Sequence, residues 1–442
     1  MVKIRYNNLQ YKSKKWWRSS TLIAVLLSFL ITFGIHIAKT QAQENAWREV
    51  AINNINTYRK GDLTVVVTDV NGKPVVGADV NVAMKRHAYS FGTAIDDTLL
   101  LSTTNPDGDK YRDNIRQLFN EATIENSLKW PQWENLESRN QAIKAIEWLR
   151  NYNLTVRGHA LVWPNWQLSP PSLKTLYDNT REQAGKDRAD QVLRDRIITH
   201  ITEQVGDLKG QISDWDVVNE PIDNKDFQNI LGQSVLVDWF KVAHEADPNA
   251  VLYINQNLYQ DQNKADEYES QIQYLLDNGA PVSGIGIEGH IFDSAISIPE
   301  FLSTLDRFAQ FNLPIKITEF DMLTGDQQLQ ADVTRDVMTA VFSNPATTGF
   351  IMWGFWDGKH WLNNAPIYAQ DWILKPSGKV YMDLVFNQWW TYVWGKTDAN
   401  GEYKVRGFLG DYEVTASIDG RSQTLYTTLS REGNKLIISL AS

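Results

Sequence analysis

Eight short apolar runs, separated by stretches with helical spacing, leave this chain few folds to choose from. The runs are Ser90 to Ile95, Ala122 to Glu125, Thr155 to His159, Trp215 to Asn219, Val251 to Asn255, Gly284 to Glu288, Ile315 to Glu319 and Gly349 to Trp353. Between them, as in residues 140–149, 235–246 and 298–308, apolar residues recur at the spacing of a helix with one buried face. Strands buried on both faces read as continuous apolar runs, which is what a parallel sheet covered by helices demands. Eight such units between His87 and Trp394 match the count and length of an α/β fold of the (β/α)8 TIM barrel type. A doubly wound open sheet is the main alternative, but no Gly-rich phosphate loop follows the first strand.

The ends of these runs are unusually polar. Glu125 and Asn126, His159, Asn219 and Glu220, Asn255, Glu288 and His290, and Glu319 all stand at or just beyond a strand end. A single acid there is often a helix cap, but the C-terminal ends of barrel strands share one rim, and that rim is where such barrels do chemistry. Glu220 and Glu319 each close a run about a hundred residues apart. Two carboxyl groups facing one another across a barrel mouth are the minimum equipment for breaking a glycosidic bond.

Both ends of the chain read as β-structure. From Asp62 to Met84 the pattern is strand, Asn71-Gly72-Lys73-Pro74 turn, strand, and Thr397 to Val405, Gly410 to Ala416 and the stretch to Leu440 continue in the same style. Two strands do not make a stable sheet, so the ends are expected to combine into one small all-β sandwich with the barrel inserted in it or flanked by it. The alternative is two unrelated extensions that merely cover the barrel. The expected organisation is a leader over residues 1–42, a helix and first sandwich strands over 43–86, the barrel over 87–394 and the remaining strands over 395–442. Trp389, Trp390 and Trp394 are expected to seal the join between barrel and sandwich.

The leader carries seven basic groups and no acid around the apolar run Thr21 to Ala38, followed by small residues near Thr40-Gln41-Ala42. That order is an export signal, and the run is also just long enough to remain in the bilayer. Both outcomes stay open: secretion after cleavage, or attachment to the cell surface through residues 21–38. Of 43 basic groups 36 lie beyond the leader, against 53 acidic ones, so the body is strongly acidic. Such a body repels phosphate backbones, which argues against nucleic acid as a partner, and a monomer acting on a neutral polymer is expected. With no cysteine in the chain, thiolate metal sites and disulfides are excluded. Glu288-Gly289-His290 shares one strand face at positions i and i+2, but no third ligand is visible, so neither metal nor cofactor is expected.

Taken together, Trp215-Asp216-Val217-Val218-Asn219-Glu220-Pro221 and Ile317-Thr318-Glu319-Phe320-Asp321 resemble the paired catalytic motifs of family 10 glycoside hydrolases, the endo-1,4-β-xylanases. The resemblance extends to Glu125-Asn126-Ser127-Leu128-Lys129-Trp130, Arg157 to Trp163, Gly284 to His290 and Trp353 to Trp361, in order and over nearly the whole middle segment. It implies a retaining hydrolase of xylan with Glu319 as nucleophile and Glu220 as acid/base. It further implies that Asn219 holds the 2-hydroxyl of the sugar being cleaved and that His290, backed by Asp321, keeps Glu319 charged. Glu125, Asn126, Lys129, His159 and Trp163 would line the non-reducing side of the cleft, Glu288 would lie beside the nucleophile, and Trp353 and Trp361 would enclose the sugar next to the cut. The flanking segments resemble carboxypeptidase-regulatory-like sandwiches, through Gly72-Lys73-Pro74-Val75 and Gly410-Asp411-Tyr412.

Three departures from that family pattern bear on substrate choice. Pro164 follows Trp163 where histidine is common, and Asn255-Gln256-Asn257-Leu258 replaces the usual segment after strand five. Glu288 stands where glutamine is common, and is expected to disturb the nucleophile by like-charge repulsion. Alternatives to xylan hydrolysis are action on another β-1,4-glucan, transglycosylation, or a glycan-binding surface protein that no longer turns over.

Overall fold

A computed structural model describes residues 46–258 and 261–441. The leader, including the run 21–38, lies outside the described residues. Among the described residues no helix is long and apolar enough to cross a membrane. The chain divides at Asn53, and the barrel and both small sheets belong to the unit Asn54–Ser442; the other unit shows a helical stretch over 46–53.

Among the described residues fifteen strands follow in chain order. β1 (Lys60–Thr68) and β2 (Asp79–His87) precede the barrel. The barrel strands are β3 (Ser90–Ile95), β4 (Glu121–Ile124), β5 (Thr155–Gly158), β6 (Asp214–Asn219), β7 (Val251–Asn257), β8 (Gly284–Phe292), β9 (Ile315–Leu323) and β10 (Thr347–Met352). They close in that order, with β10 returning to β3, and every pairing is parallel. Helices such as Leu136–Asn151 and Gln327–Ser343 bury their apolar sides against this sheet. After the barrel come β11 (Tyr392–Lys396), β12 (Glu402–Phe408), β13 (Gly410–Ile418), β14 (Arg421–Leu429) and β15 (Asn434–Ser439).

The chain ends build two sheets, ordered β12-β1-β15 and β11-β2-β13-β14. The turn between β1 and β2 forms as its residues dictate. Asp69 accepts hydrogen bonds from the backbone of Asn71 and Lys73, and Gly72 takes φ +78°, a conformation that costs glycine nothing. Yet β1 and β2 do not pair; the connection carries the chain from one sheet to the other. Leu63, Val65 and Val67 on β1 and Val80, Val82 and Met84 on β2 are buried, as are Tyr412, Val414 and Ala416 on β13. Each of the buried Val, Leu and Met side chains stabilises the fold by about 1.5–3 kcal/mol.

The join between sandwich and barrel is aromatic, and it corrects one expectation. Trp389 stacks on Phe342 at 4.3 Å and lies 5.9 Å from Phe91, while its carbonyl bonds His87 Nε2 at 2.9 Å. Burial pushes the His87 pKa down to about 4. Trp390 borders the same cluster, 6.5 Å from His87. Trp394 does not take part. It lies on β11, where strand alternation turns it outward, and it is 73% exposed.

Candidate active site

Two irregularities in the barrel aim the glutamates. In a regular strand Asp214, Asp216 and Val218 would share the inward face. The pairing of β6 with β7 skips Val217, since Asp216 opposes Tyr253 and Val218 opposes Ile254. That extra residue shifts the alternation, so that Asn219 rather than Val218 meets the interior. In β9 the pairing with β8 runs Ile287 to Ile317 and then Glu288 to Glu319, skipping Thr318. Thr318 and Glu319 consequently both reach into the barrel mouth. Strands β8 and β9 also continue past the expected end, to Phe292 and Leu323, setting Glu288 against Glu319 and His290 against Asp321. Glu319 therefore sits within a strand, not at its end. Glu220 directly follows β6 with φ +49°, a strained value for a non-glycine residue.

Asn255 on β7 ties the mouth together. Its Oδ1 accepts from Thr318 Oγ1 at 2.7 Å, which fixes the orientation of the amide. Nδ2 lies 2.8 Å from Asn219 Oδ1, 2.9 Å from Glu319 Oε1 and 3.1 Å from Glu288 Oε1. An amide nitrogen has two hydrogens for these three acceptors. Glu288 is the most distant and is left with the poorest donor.

The protonation of the three glutamates follows from these contacts. Glu220 is raised above its ordinary pKa, first by burial and then by the charges of Glu319 and Asp223; Trp163 Nε1, donating to Oε2 at 3.1 Å, opposes the shift only in part. Glu319 is lowered. Burial pushes it up, but His159, His290 and Lys129 together outweigh burial. His290 Nε2 lies 3.4 Å from Glu319 Oε2, and Nδ1 bonds Asp321 Oδ1 at 2.9 Å. Against the cost of burial, Asp321 and Glu319 lift His290 to about 10. Glu288 is raised well above its ordinary value, by burial and then by Glu319 and Glu220. The like-charge repulsion thus shows on Glu288 itself, whose pKa is raised while that of Glu319 is lowered.

The remaining expected residues gather on the same rim. Glu125 follows β4, and burial raises its pKa. Lys129 Nζ donates to Asn126 Oδ1 at 3.0 Å and lies 5.5 Å over the Trp163 ring. His159 follows β5, its Nδ1 bonded to Asp216 Oδ2 at 2.9 Å, while its buried Nε2 has no partner. Trp353 sets its ring 5.0 Å from His159. Trp361 is half exposed, 5.1 Å from His290, and donates to Asp321 Oδ2 at 2.7 Å.

Several contributors carry no assignment from sequence. Asp216 bonds both Arg157 and His159, Asn224 reaches Glu220 Oε2 at 3.4 Å, and Gln256 holds Asp223 at 2.7 Å. The signal for Asp216 was present, since an acid in the middle of an apolar strand must have a partner. A third ligand atom does join Glu288 and His290, namely from Glu319. An imidazole protonated up to about pH 10 is nevertheless a poor metal ligand.

Comparison with known proteins agrees with this geometry. Residues 79–380 match the model of Glycosyl hydrolase family 10. The anti-sigma-I factor RsgI6 of Acetivibrio thermocellus is 32% identical over 392 residues, covering 88% of this chain and 49% of that protein. Endo-1,4-beta-xylanase 1 of Arabidopsis thaliana is 29% identical over 390 residues, covering 86% of this chain and 39% of that protein. The chain thus spans about half or less of the length of these relatives. Among solved structures, xylanase 10B from Thermotoga petrophila RKU-1 in complex with xylobiose aligns with a TM-score of 0.60 at 27% identity, over 68% of this chain and 95% of that one.

Proposed function

The chain belongs to glycosyl hydrolase family 10, and from that premise we propose that it is a retaining endo-1,4-β-xylanase. The observation that carries this reading is the divergence of two carboxyl groups on one rim, buried Glu319 lowered and half-buried Glu220 raised. A charged nucleophile beside a protonated partner is the state in which a glycosidic bond is attacked and its leaving oxygen protonated. Glu319 attacks the anomeric carbon while Glu220 gives its proton to the leaving sugar. Glu220, now a carboxylate, then takes a proton from the water that releases the glycosyl-enzyme.

In this reading His290 and Asp321 hold Glu319 ionised, and Asn219, oriented by Asn255, meets the 2-hydroxyl as charge develops. The unpartnered His159 Nε2 offers a sugar hydroxyl a hydrogen bond. Glu125, Asn126, Lys129 and Trp163 bind the sugars on the non-reducing side, with Glu288, Trp353 and Trp361 around the sugar being cut. We also propose that residues 1–42 direct export, with the apolar run 21–38 either cut away or kept as an anchor; N-terminal sequencing of the exported protein separates the two. The sheets at the chain ends are proposed as one carboxypeptidase-regulatory-like domain spanning 43–86 and 395–442 and interrupted by the barrel, in support of which strands from both ends share each sheet.

The test is reducing-sugar release from xylan, β-glucan and carboxymethyl cellulose. Release from xylan above the other two supports the proposal, and preference for a glucan polymer moves the substrate while keeping the mechanism. Binding without release from any of them favours a second reading, a non-catalytic glycan-binding surface protein, which the likeness to an anti-sigma factor over 88% of the chain brings forward.

A further inference from the structure

The outer face of the sheet β11-β2-β13-β14 carries aromatic rings that the fold does not need. Its inner face already supplies the sandwich core, through Val80, Val82, Met84, Tyr412 and Val414. Outward, Trp394 is 73% exposed, Tyr426 72% and Tyr392 58%. Register places them in two adjacent rows across the strands: Tyr392, Ala83, Glu413, Tyr426, and Trp394, Asn81, Thr415, Thr424. Three interstrand steps put the backbones of Tyr392 and Tyr426 about 14 Å apart. Ala83, small and low, lies between the rings.

Hydrogen-bonding groups fill the same area. Asn81 Nδ2 lies 3.3 Å from Tyr392 Oη, Thr415 and Thr424 share a hydroxyl contact at 2.8 Å, and Tyr426 Oη donates to Glu413 at 2.9 Å. The charges here are matched in place: Lys396 with Asp79 at 2.7 Å, Lys85 with Glu413 at 3.3 Å. One further carboxylate, Asp411 at the end of the face, accepts from Thr428 Oγ1 at 2.7 Å, and around the rings themselves no unpaired charge among the described residues selects an ionic partner. The face complements a neutral one, with apolar rings for the C–H face of a sugar and amide and hydroxyl groups for its edges. A second copy of the chain is a poorer fit, because ions and polar groups interrupt the apolar area.

Ring geometry narrows the choice further. Tyr392 and Trp394 have centroids 6.1 Å apart with planes inclined by 62°. Inclined rings suit a polymer whose successive sugars are turned against one another, as in xylan, rather than the flat ribbon of cellulose. We propose that this sheet face is a second glycan site, outside the cleft, that binds the backbone of a β-1,4-xylan chain. The choice of xylan rests on the function proposed above; the site itself rests on the sheet. Holding a polymer there raises its effective concentration at the cleft without any new catalytic contact.

The experiment is native electrophoresis of the full-length protein through gels containing soluble xylan or hydroxyethyl cellulose, with excess xylobiose present to fill the cleft. Wild type, Trp394→Ala, the Tyr392→Ala/Trp394→Ala pair and Trp394→Phe are compared, and turnover of an aryl xylobioside is read alongside. The expected result is retardation by xylan above hydroxyethyl cellulose, weakened at least about fivefold in Trp394→Ala, further in the pair and largely restored in Trp394→Phe, with aryl xylobioside turnover unchanged. Equal retardation of wild type and Trp394→Ala, or no retardation of either, overturns the proposal. So does a change in oligomeric state on Trp394→Ala, measured by light scattering, which would assign the face to a second copy. Retardation without any xylan hydrolysis would instead refute the cleft reading and leave this site standing.

Discussion

The barrel holds one cluster of charges at its floor and another at its mouth, and they differ in where the raised carboxyl groups lie. At the floor, Lys316 donates to Glu121 at 2.6 Å and Asp214 at 2.8 Å, and Arg157 reaches Asp214 at 3.0 Å and also Asp216. The Tyr253 ring lies beneath both cations, at 4.7 and 5.7 Å. Asp214 is held at about 2, because Lys316 and Arg157 outweigh its burial. Glu121 is nevertheless raised by burial despite Lys316. At the mouth, Glu220 and Glu288 are raised by burial and by the charge of Glu319, while His159, His290 and Lys129 lower Glu319. The floor is closed, whereas Glu220 at the mouth is only half-buried. What marks the mouth is that a raised carboxyl group, Glu220, reaches the open rim beside a lowered one, Glu319, so that a proton is in position to be given away. Asp216 joins the two, bonded to Arg157 below and His159 above.

The largest effect that would break this contrast is expected at the mouth. Glu319→Ala should lower kcat on every substrate by about four orders of magnitude or more, since no other carboxylate there is free to attack. Retention of turnover would mean that another group does the chemistry. Glu220→Ala should slow xylan by about 10²–10⁴ while sparing aryl glycosides whose leaving group needs no proton. Comparable loss on both would undo the separation of roles.

At the floor the same kind of change should cost stability instead. Lys316→Met leaves Glu121 and Asp214 buried without their shared cation, a loss of about 3–5 kcal/mol by urea unfolding. Turnover of the folded fraction on an aryl xylobioside should stay within a few-fold. A large fall in kcat with unchanged stability would show that the floor takes part in the reaction.

Glu288→Gln gives the smallest expected effect. Activity needs Glu319 ionised and Glu220 protonated, so it falls on the acid side as the pair takes up a second proton and on the basic side as it loses its last. A neutral Glu288 contributes no charge across that range, and its amide replacement should leave the basic limb where it is. Were Glu288 ionised, removing its charge would lower the Glu220 pKa and move the basic limb to lower pH. A pH profile of kcat/KM decides between them.

Much of this was legible in the residues, for identifiable reasons. Strands buried on both faces write themselves as apolar runs, so Ser90, Val251, Gly284 and Ile315 mark strand starts in sequence and structure alike. The bulges at Val217 and Thr318 were not legible, because they are defined only by pairing with β7 and β8. Strict alternation would have faced Val218 into the barrel in place of Asn219. The ends of β8 and β9 were missed because Glu288, His290, Glu319 and Asp321 look like loop chemistry until the two strands are seen to pair through them. Trp394 resembled its neighbours Trp389 and Trp390 in sequence, and only strand alternation on β11 separates it from them.

The most direct test of the central claim is to trap the covalent intermediate. Incubation with a 2-deoxy-2-fluoro-xylobioside carrying a good leaving group, followed by peptide mass spectrometry, should place one glycosyl adduct on Glu319. An adduct on Glu220 or Glu288, or no adduct alongside hydrolysis that inverts the anomeric configuration, would contradict the assignment of charges at the barrel mouth.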